Sequence, residues 1–215
     1  MSLVIGIQSC PSGNGACARH WPYFEKAGAD ELIGIGTTCG GTIFPLGVRS
    51  EMIGANLYIT GKHLPRRLIR SFELLLKTKH DWLCVAEYDV IFLREIPKDL
   101  PLGVTAHLAG GKPFDCHCNM FLHGPWICDR ETAKIVIAIG HEILQTNEVD
   151  PSPDCFLGQI IEKGEIPFRG DILKSYSRNT IHPGQWAQEA REARFNGAIC
   201  VHGVKDAQVL NEIME

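Results

Sequence analysis

The hydrophobic positions along the chain form two patterns, short continuous apolar runs and one long stripe with helical spacing. The runs at residues 3–7, 32–36 and 82–86 are bounded by polar or glycine-rich segments, which is typical of strands buried inside a parallel sheet. Between Leu64 and Leu76 the apolar residues recur at helical intervals. Strands that alternate with helices predict an α/β fold, with a mixed, mostly parallel central sheet flanked by helices.

The same reasoning predicts further elements in both halves of the chain. Further strands are expected at residues 55–60, 102–107, 118–122 and 198–201. Further helices are expected at residues 23–27, opened by Pro22, and at residues 130–145, 154–163 and 186–195. Asp129 and Ser152 stand where N-terminal capping side chains are preferred. Arg66, Arg67 and Arg70 lie opposite the apolar stripe and are interpreted as a solvated helix face.

Two carboxylates follow the predicted strand 82–86, in the segment Glu87-Tyr88-Asp89. Burying either of them unpaired costs several kcal/mol or shifts its pKa. Hard divalent cations take oxygen ligands and are often shared with a substrate phosphate, and ligands bind at the carboxyl edge of open α/β sheets. The pair is therefore a candidate metal site, and the alternative is a solvated turn. A turn-rich segment at residues 11–15 follows the first strand, where it could wrap a nucleotide.

A second candidate site lies near the end of the chain, in the segment from His202 to Lys205. The histidine follows the last predicted strand, Gly203 permits a tight turn, and the lysine comes three residues after the histidine. An imidazole can complete a metal site begun by carboxylates, because Mn²⁺ accepts mixed nitrogen and oxygen ligands. An ammonium can neutralise the charge of a diphosphate. The alternative is a surface histidine in a C-terminal turn.

Both segments resemble motifs of nucleotide-sugar glycosyltransferases of the GT-A fold. Glu87-x-Asp89 resembles their Asp-x-Asp motif, with Glu in the first position. His202-Gly203-x-Lys205 resembles, in shortened form, the C-terminal His-x-x-Gly-x-x-Lys signature of the glycogenin-like retaining family. The resemblance implies that Glu87, Asp89 and His202 hold Mn²⁺, or Mg²⁺, and that Lys205 contacts the donor diphosphate, with Gly203 and Tyr88 also expected at the donor.

Two further segments resemble the same family in the same order along the chain. Asp154 resembles the acidic residue of the Asp-Gln-x-x-Leu-Asn segment, which lies near the reacting sugar. Asn119 resembles the asparagine of an Asn-x-Gly strand, which implies a contact with the sugar. Retention of configuration is implied by the glycogenin-like tail. If the enzyme inverts instead, Asp154 is the candidate general base.

The resemblance implies one GT-A-like domain over residues 1–215, with a nucleotide-binding half at residues 1–100. Residues 101–215 would supply the acceptor side and the metal and diphosphate tail. The implied reaction moves a sugar from a nucleotide diphosphate to a saccharide, lipid or protein acceptor. The alternatives are a Mg²⁺-dependent nucleotide-binding or nucleotidyltransferase-like domain, and a non-catalytic relative of the transferase fold.

The composition of the chain argues against several classes of binding partner. The formal net charge is −4, which argues against a nucleic-acid binder that relies on bulk electrostatics. No apolar stretch approaches the ~20 residues of a membrane span, and the N-terminus does not have the pattern of a signal peptide. A cytoplasmic location is therefore expected.

The nine cysteines raise two further questions, their redox state and a competing metal site. A cytoplasmic location predicts that all nine are reduced. Cys116, His117, Cys118 and His123 suggest a zinc site, but their spacing does not match the usual paired Cys-x₂₋₄-Cys pattern. Zinc is therefore the weaker interpretation of this segment.

Overall fold

The computed structural model of the chain describes residues 1–37, 41–53, 63–108, 116–170, 176–177, 183–205 and 207–215. Ten strands are described, at Leu3–Gln8 (β1), Glu31–Thr37 (β2), Ser50–Ile53 (β3), Trp82–Glu87 (β4), Val90–Phe92 (β5), Val104–Leu108 (β6), Leu122–Asp129 (β7), Phe168–Arg169 (β8), Tyr176–Ser177 (β9) and Cys200–His202 (β10). Six α-helices are described, at Asn14–Glu25 (α1), His63–Leu75 (α2), Arg130–Leu144 (α3), Pro153–Gly164 (α4), Pro183–Phe195 (α5) and Ala207–Met214 (α6).

Seven of the strands form one sheet in the order β3-β2-β1-β4-β7-β6-β8. Within this sheet β7 alone is antiparallel to its neighbours, β4 and β6. The predicted α/β class with a mostly parallel mixed sheet is confirmed. The register that pairs Gln8 with Glu87 brings the carboxyl ends of β1 and β4 to the same edge.

Side chains alternate across the two faces of this sheet, as the pleat requires. In β4, Leu83 and Val85 join the core on the face covered by α2, α3 and α4. Cys84 and Ala86 join the core on the opposite face, which α1 and β5 cover. The same alternation directs Glu87, the last residue of β4, toward the face that α2 and α4 cover.

A second, three-stranded sheet forms from segments far apart in sequence, in the order β5-β10-β9. β10 pairs antiparallel with β5, so that His202 lies opposite Val90. Helices α5 and α6 pack beside it, and their apolar residues join Ile91 and Val201 in a third core. The end of the chain is thereby joined to the turn that follows β4.

Most of the predicted elements are present, with two local corrections. The helix expected at 23–27 is instead α1, which begins at Asn14 and contains Pro22, because its apolar side chains from Ala16 to Phe24 bury along one face. The strand expected at 118–122 begins only at Leu122 and runs to Asp129. Residues 55–60, predicted as a strand, lie outside the described residues.

The predicted caps are confirmed, because Asp129 accepts a hydrogen bond from the N–H of Thr132 and Ser152 from the N–H of Asp154. Among the described helices, none has both the length and the apolar character needed to cross a lipid bilayer.

Candidate functional site

Glu87, Asp89 and His202 meet at the carboxyl edge of the large sheet. Each offers one ligand atom, and the three atoms lie within 4.8 Å of one another. Nε2 of His202 lies 3.2 Å from Oε2 of Glu87 and 3.4 Å from Oδ1 of Asp89. Two carboxylates and an imidazole at this separation form a mixed oxygen and nitrogen donor set, which fits Mn²⁺ and, less well, Mg²⁺.

Main-chain hydrogen bonds fix the two segments that carry these side chains. The carbonyl oxygen of Asp89 accepts from the N–H of Gly203 at 3.0 Å and of Val204 at 2.9 Å. Gly203 has φ +95°, a left-handed conformation that glycine adopts without strain. The predicted turn after His202 is therefore the feature that lets the tail fold back onto the acidic turn.

The three side chains are strongly coupled electrostatically. Burial lowers the pKa of His202, but hydrogen bonds and the negative charges of Asp89 and Glu87 outweigh it and raise that pKa to about 10. Burial raises the pKa of Asp89, yet His202 and Lys205 outweigh it and the net pKa is lowered. Without a metal, the imidazolium therefore neutralises part of the charge of the two carboxylates.

Two basic side chains border the triad, one at each carboxylate. Nη2 of Arg67, on α2, lies 3.1 Å from Oε1 of Glu87. Nζ of Lys205 lies 3.7 Å from Oδ2 of Asp89, and this lysine is 61% exposed. The interpretation of Arg67 as part of a solvated face is wrong, because its side chain is only 14% exposed. No motif in the sequence singled out Arg67, because its partner Glu87 lies 20 residues further along the chain.

Asp154 lies in the first turn of α4, and its carboxylate is affected by the triad. Burial and the negative charge of Glu87 raise its pKa to about 7, against the opposing effect of His202. Its Oδ1 atom is buried and has no hydrogen-bond partner among the described residues. A carboxyl group with this pKa beside a polar site can accept or donate a proton near neutral pH.

Two more histidines extend the site along the same sheet edge. His107 at the end of β6 is paired with His123 in β7, and the ring centroid of His123 lies 5.5 Å from that of His202. Burial, then the charges of His202 and His107, lower the pKa of His123 to about 3. His123 is therefore neutral, and a neutral ring beside the triad adds no charge that competes with a cation.

The segment after β1 reaches the acidic turn from the other side. Residues Pro11–Gly13 form a short 3₁₀ helix that leads into α1, in place of the predicted open loop. A Cβ atom on Gly13 would lie 2.8 Å from the ring of Tyr88, so only glycine allows this close approach. Nδ1 of His20 donates to the carbonyl of Tyr88 at 2.9 Å. Tyr88 thus packs beneath this segment, and burial raises its pKa to about 12.

Asn119 lies in an exposed bend before β7, and the strand predicted to carry it is absent there. Its N–H donates to Oε1 of Glu162 on α4 at 2.7 Å. No described contact joins Asn119 to the triad, so its predicted role at the sugar has no structural support.

The prediction that every cysteine is reduced is wrong for two of them. Cys116 and Cys155 form a disulfide, with their Cα atoms 6.5 Å apart. Six other cysteines are free thiols within the described part of the chain. Cys116 and Cys155 lie far apart in sequence, and only the fold brings the segment before β7 against the start of α4.

No model of a known protein family matches the chain, and no curated protein matches it in sequence. The function is therefore inferred from the geometry of the site itself.

Proposed function

We propose that this protein is a metal-dependent glycosyltransferase that takes its sugar from a nucleotide diphosphate donor. The observation that carries the proposal is the meeting of Glu87, Asp89 and His202 within 4.8 Å, at the sheet edge where ligands of α/β proteins bind. These are the three residues that the resemblance to GT-A transferases assigns to the metal.

In this proposal the chain binds the donor from both sides of the acidic turn. Glu87, Asp89 and His202 would hold Mn²⁺ or Mg²⁺. The divalent cation supplies Lewis-acid stabilisation of the negative charge that develops on the leaving diphosphate. Lys205, with its exposed ammonium 3.7 Å from Asp89, is free to move toward the diphosphate and add electrostatic stabilisation there.

The nucleotide would lie against the segment after β1. Tyr88 and the 3₁₀ helix Pro11–Gly13 lie against each other at the same edge as Glu87. The N-terminal turn of α1 begins directly after this segment, and the positive end of its helix dipole favours anionic ligands. The assignment of residues 1–100 as the nucleotide-binding half is consistent with this arrangement.

Asp154 would act at the sugar. Its pKa of about 7 suits a group that takes a proton from an acceptor hydroxyl at neutral pH, which is the role it has if configuration inverts. If configuration is retained, a dedicated base is not needed, and Asp154 would instead orient the sugar and stabilise the oxocarbenium-like transition state. The glycogenin-like tail favours retention.

A Mg²⁺-dependent nucleotide-binding or nucleotidyltransferase-like protein is the second candidate. It would use the same two carboxylates, but Mg²⁺ prefers an all-oxygen shell, so the position of His202 favours the first proposal. The two functions differ in whether the bond to the sugar is broken.

The proposal is tested by calorimetric titration of UDP and GDP into the protein with and without Mn²⁺. We expect one nucleotide to bind, binding to require Mn²⁺, and Asp89→Ala and His202→Ala each to abolish it. Asp99→Ala and His141→Ala are the matched controls, since both residues are exposed and neither contacts the triad. Nucleotide binding that does not depend on Mn²⁺, or that persists in both site variants, would contradict the proposed metal and diphosphate site.

Sugar transfer is tested separately with nucleotide-sugar donors that share the base found by calorimetry. Release of the nucleoside diphosphate with the free sugar, followed by proton NMR, shows both donor cleavage and the anomer formed first. Metal-dependent nucleotide binding without donor cleavage, across donors and acceptors, would favour the second candidate.

A further inference from the structure

Three cysteine sulfurs lie together at a second position, where the segment before β7 meets the start of α4. The Sγ atoms of Cys116, Cys118 and Cys155 lie within 4.8 Å of one another. Cys118 and Cys155 are buried and Cys116 is partly buried. In the described residues this is the second cluster with metal-ligating spacing, besides the Glu87, Asp89 and His202 triad.

A buried carboxylate stands next to these sulfurs. Asp150 is fully buried, and its Oδ1 atom accepts a hydrogen bond from the N–H of His117 at 2.9 Å. Its Oδ2 atom has no hydrogen-bond partner among the described residues. Because His117 lies between Cys116 and Cys118, its hydrogen bond places the carboxylate beside the segment that carries two of the three sulfurs. A buried carboxylate oxygen without a partner is costly, and a cation between Oδ2 and the sulfurs would remove that cost.

We propose that the reduced protein binds Zn²⁺ at this position through Cys116, Cys118, Cys155 and Asp150. Zn²⁺ in proteins is usually tetrahedral and takes thiolate, imidazole and carboxylate ligands. Thiolates select it against Mn²⁺ and Mg²⁺, which prefer oxygen. The two clusters of this protein therefore differ in the class of metal they accept, and the zinc site does not depend on the proposed sugar transfer.

Zinc and the disulfide are alternative states of the same sulfurs. A dithiol reductant transfers two electrons and two protons to the Cys116–Cys155 disulfide, and is itself oxidised to a disulfide. The reduced cluster then has three thiols. Binding of Zn²⁺ displaces their three protons to the solvent and forms three zinc–sulfur bonds, with the fourth bond made by the Asp150 carboxylate.

The spacing of Cys116 and Cys118 does not match the usual zinc-binding pattern, but the local backbone explains how both sulfurs can serve as ligands. Residues 117–119 form a bend, and the N–H of His117 within it is held by Asp150, so the sulfurs of Cys116 and Cys118 come to the same side. His123, one of the two histidines that the sequence suggested as ligands, packs its ring 4.6 Å from that of Phe121. The third sulfur comes instead from Cys155 in α4. This residue is too far along the chain to be recognised from the spacing of ligands around Cys116.

The site has a structural consequence for α4. Cys155 follows Asp154 directly in the first turn of this helix. A bond from Zn²⁺ to Cys155 would fix that turn to the segment before β7, as the disulfide does in the oxidised state. Either state would hold the start of α4 in place, whereas free thiols would not.

Cobalt substitution tests the proposal, because thiolate ligands give Co²⁺ a charge-transfer absorption that carboxylate and imidazole ligands do not. Protein reduced with a phosphine and titrated with Co²⁺ should show this band together with the strong visible bands of tetrahedral Co²⁺. One equivalent of Zn²⁺ should abolish both. Protein with the disulfide intact should show neither. Absence of the band in reduced protein, or its presence at full strength in oxidised protein, would overturn the proposal.

Three variants at the proposed ligands, with two controls, identify the site. Cys118→Ser and Cys155→Ser should each weaken the charge-transfer band, because two thiolates remain, and Asp150→Asn should weaken Co²⁺ binding by about 10-fold or more. Cys10→Ser, at a half-buried cysteine outside the cluster, and Asp89→Asn should leave the band unchanged. A band that survives Cys118→Ser or Cys155→Ser at wild-type strength would contradict the assignment.

Alkylation of the unmodified sequence gives an independent test in case a variant fails to fold. Reduced protein is treated with a maleimide in the presence of Zn²⁺ or of a chelator, digested, and mapped by mass spectrometry. Zn²⁺ should protect Cys116, Cys118 and Cys155 together, and should leave the labelling of Cys10 unchanged. Equal labelling of the three cysteines in both conditions would overturn the proposal.

Discussion

Nη2 of Arg67 lies 3.1 Å from Oε1 of Glu87, so a helix that precedes β4 holds one of the proposed metal ligands. The other carboxylate oxygen of Glu87 lies 3.2 Å from His202. Glu87 is therefore oriented at both of its oxygens, by the guanidinium of Arg67 and by an imidazole that must lose its proton to bind a metal. A partner that orients a ligand in this way commonly affects metal affinity.

Replacing Arg67 with Gln should lower Mn²⁺ affinity by about 10-fold or more, because Glu87 loses the partner that fixes its orientation. The free energy of unfolding should fall by about 1–3 kcal/mol, since the pair is largely shielded from water. Calorimetry and urea denaturation measure the two effects. Arg70→Gln is the control, because Arg70 is 60% exposed. A double-mutant cycle with Glu87→Gln should show coupling, and additive effects would contradict the assignment.

Replacing Asp154 with Asn should stabilise the metal-free protein at pH 8 and have little effect near pH 4. The pKa of this carboxyl group is about 7 in the folded protein against an ordinary value of 3.8. A raised folded pKa means that stability is lost as the pH rises from about 4 through 7, because the unfolded chain ionises first. Asn cannot ionise, so the gain at pH 8 should be on the order of 2–4 kcal/mol.

Denaturation in the presence of a chelator, at several pH values, measures this difference. Asp99→Asn, at an exposed position, is the control for the loss of one negative charge anywhere on the chain. A stability gain from Asp154→Asn that is the same at pH 4 and pH 8 would show that Asp154 is not the group that ionises.

Mn²⁺ binding should release about one proton from His202 and tighten as the pH rises. The pKa of this imidazole is about 10 without a metal, so it is protonated throughout pH 6–8 and the metal must displace that proton. The affinity should therefore rise by about 10-fold per pH unit in this range. Calorimetry in buffers of different ionisation enthalpy counts the protons released. Equal Mn²⁺ affinity at pH 6 and pH 8 would exclude His202 as a ligand.

Replacing Gly158 with Ala should destabilise the protein by about 1–3 kcal/mol. Gly158 lies in α4, and a Cβ atom there would clash with the main-chain oxygen of Met120, which cannot move without shifting the segment before β7. Gly15→Ala is a matched helical control, because its Cβ would meet only the flexible end of Arg19 at 3.3 Å. That control should be neutral or slightly stabilising, since Ala has the higher helix propensity. Thermal denaturation compares the two variants, and equal effects would contradict the close packing of α4.

The elements that were predicted best are those whose burial gives a recognisable pattern of apolar residues in the local sequence. β1, β2 and β4 are covered on both faces and are therefore continuous apolar runs in the sequence. β7 is covered on both faces as well, but it contains His123, Gly124 and Pro125, residues that are typical of turns. It is a strand because β4 and β6 pair with it on both sides, and such long-range pairing leaves no trace in the spacing of its own residues.

The sequence predicted only those site residues that belong to a recognisable motif. Glu87, Asp89 and His202 could be selected because each follows a recognisable strand. Arg67 and Cys155 could not, because their neighbours at the site are distant in sequence. For α1, by contrast, the sequence did contain the helical spacing of apolar residues from Ala16 to Phe24. The start of the helix was predicted wrongly because Pro22 was taken as the residue that opens it.

The pairing of β5 with β10 determines how late in synthesis the triad can assemble. Glu87 and Asp89 leave the ribosome with the first half of the chain, but His202 and the N–H groups that bind the carbonyl of Asp89 follow only near the end. A nascent chain therefore cannot bring Glu87, Asp89 and His202 together until residue 204 has been synthesised. Assembly of this triad is thus a late event in the folding of the chain.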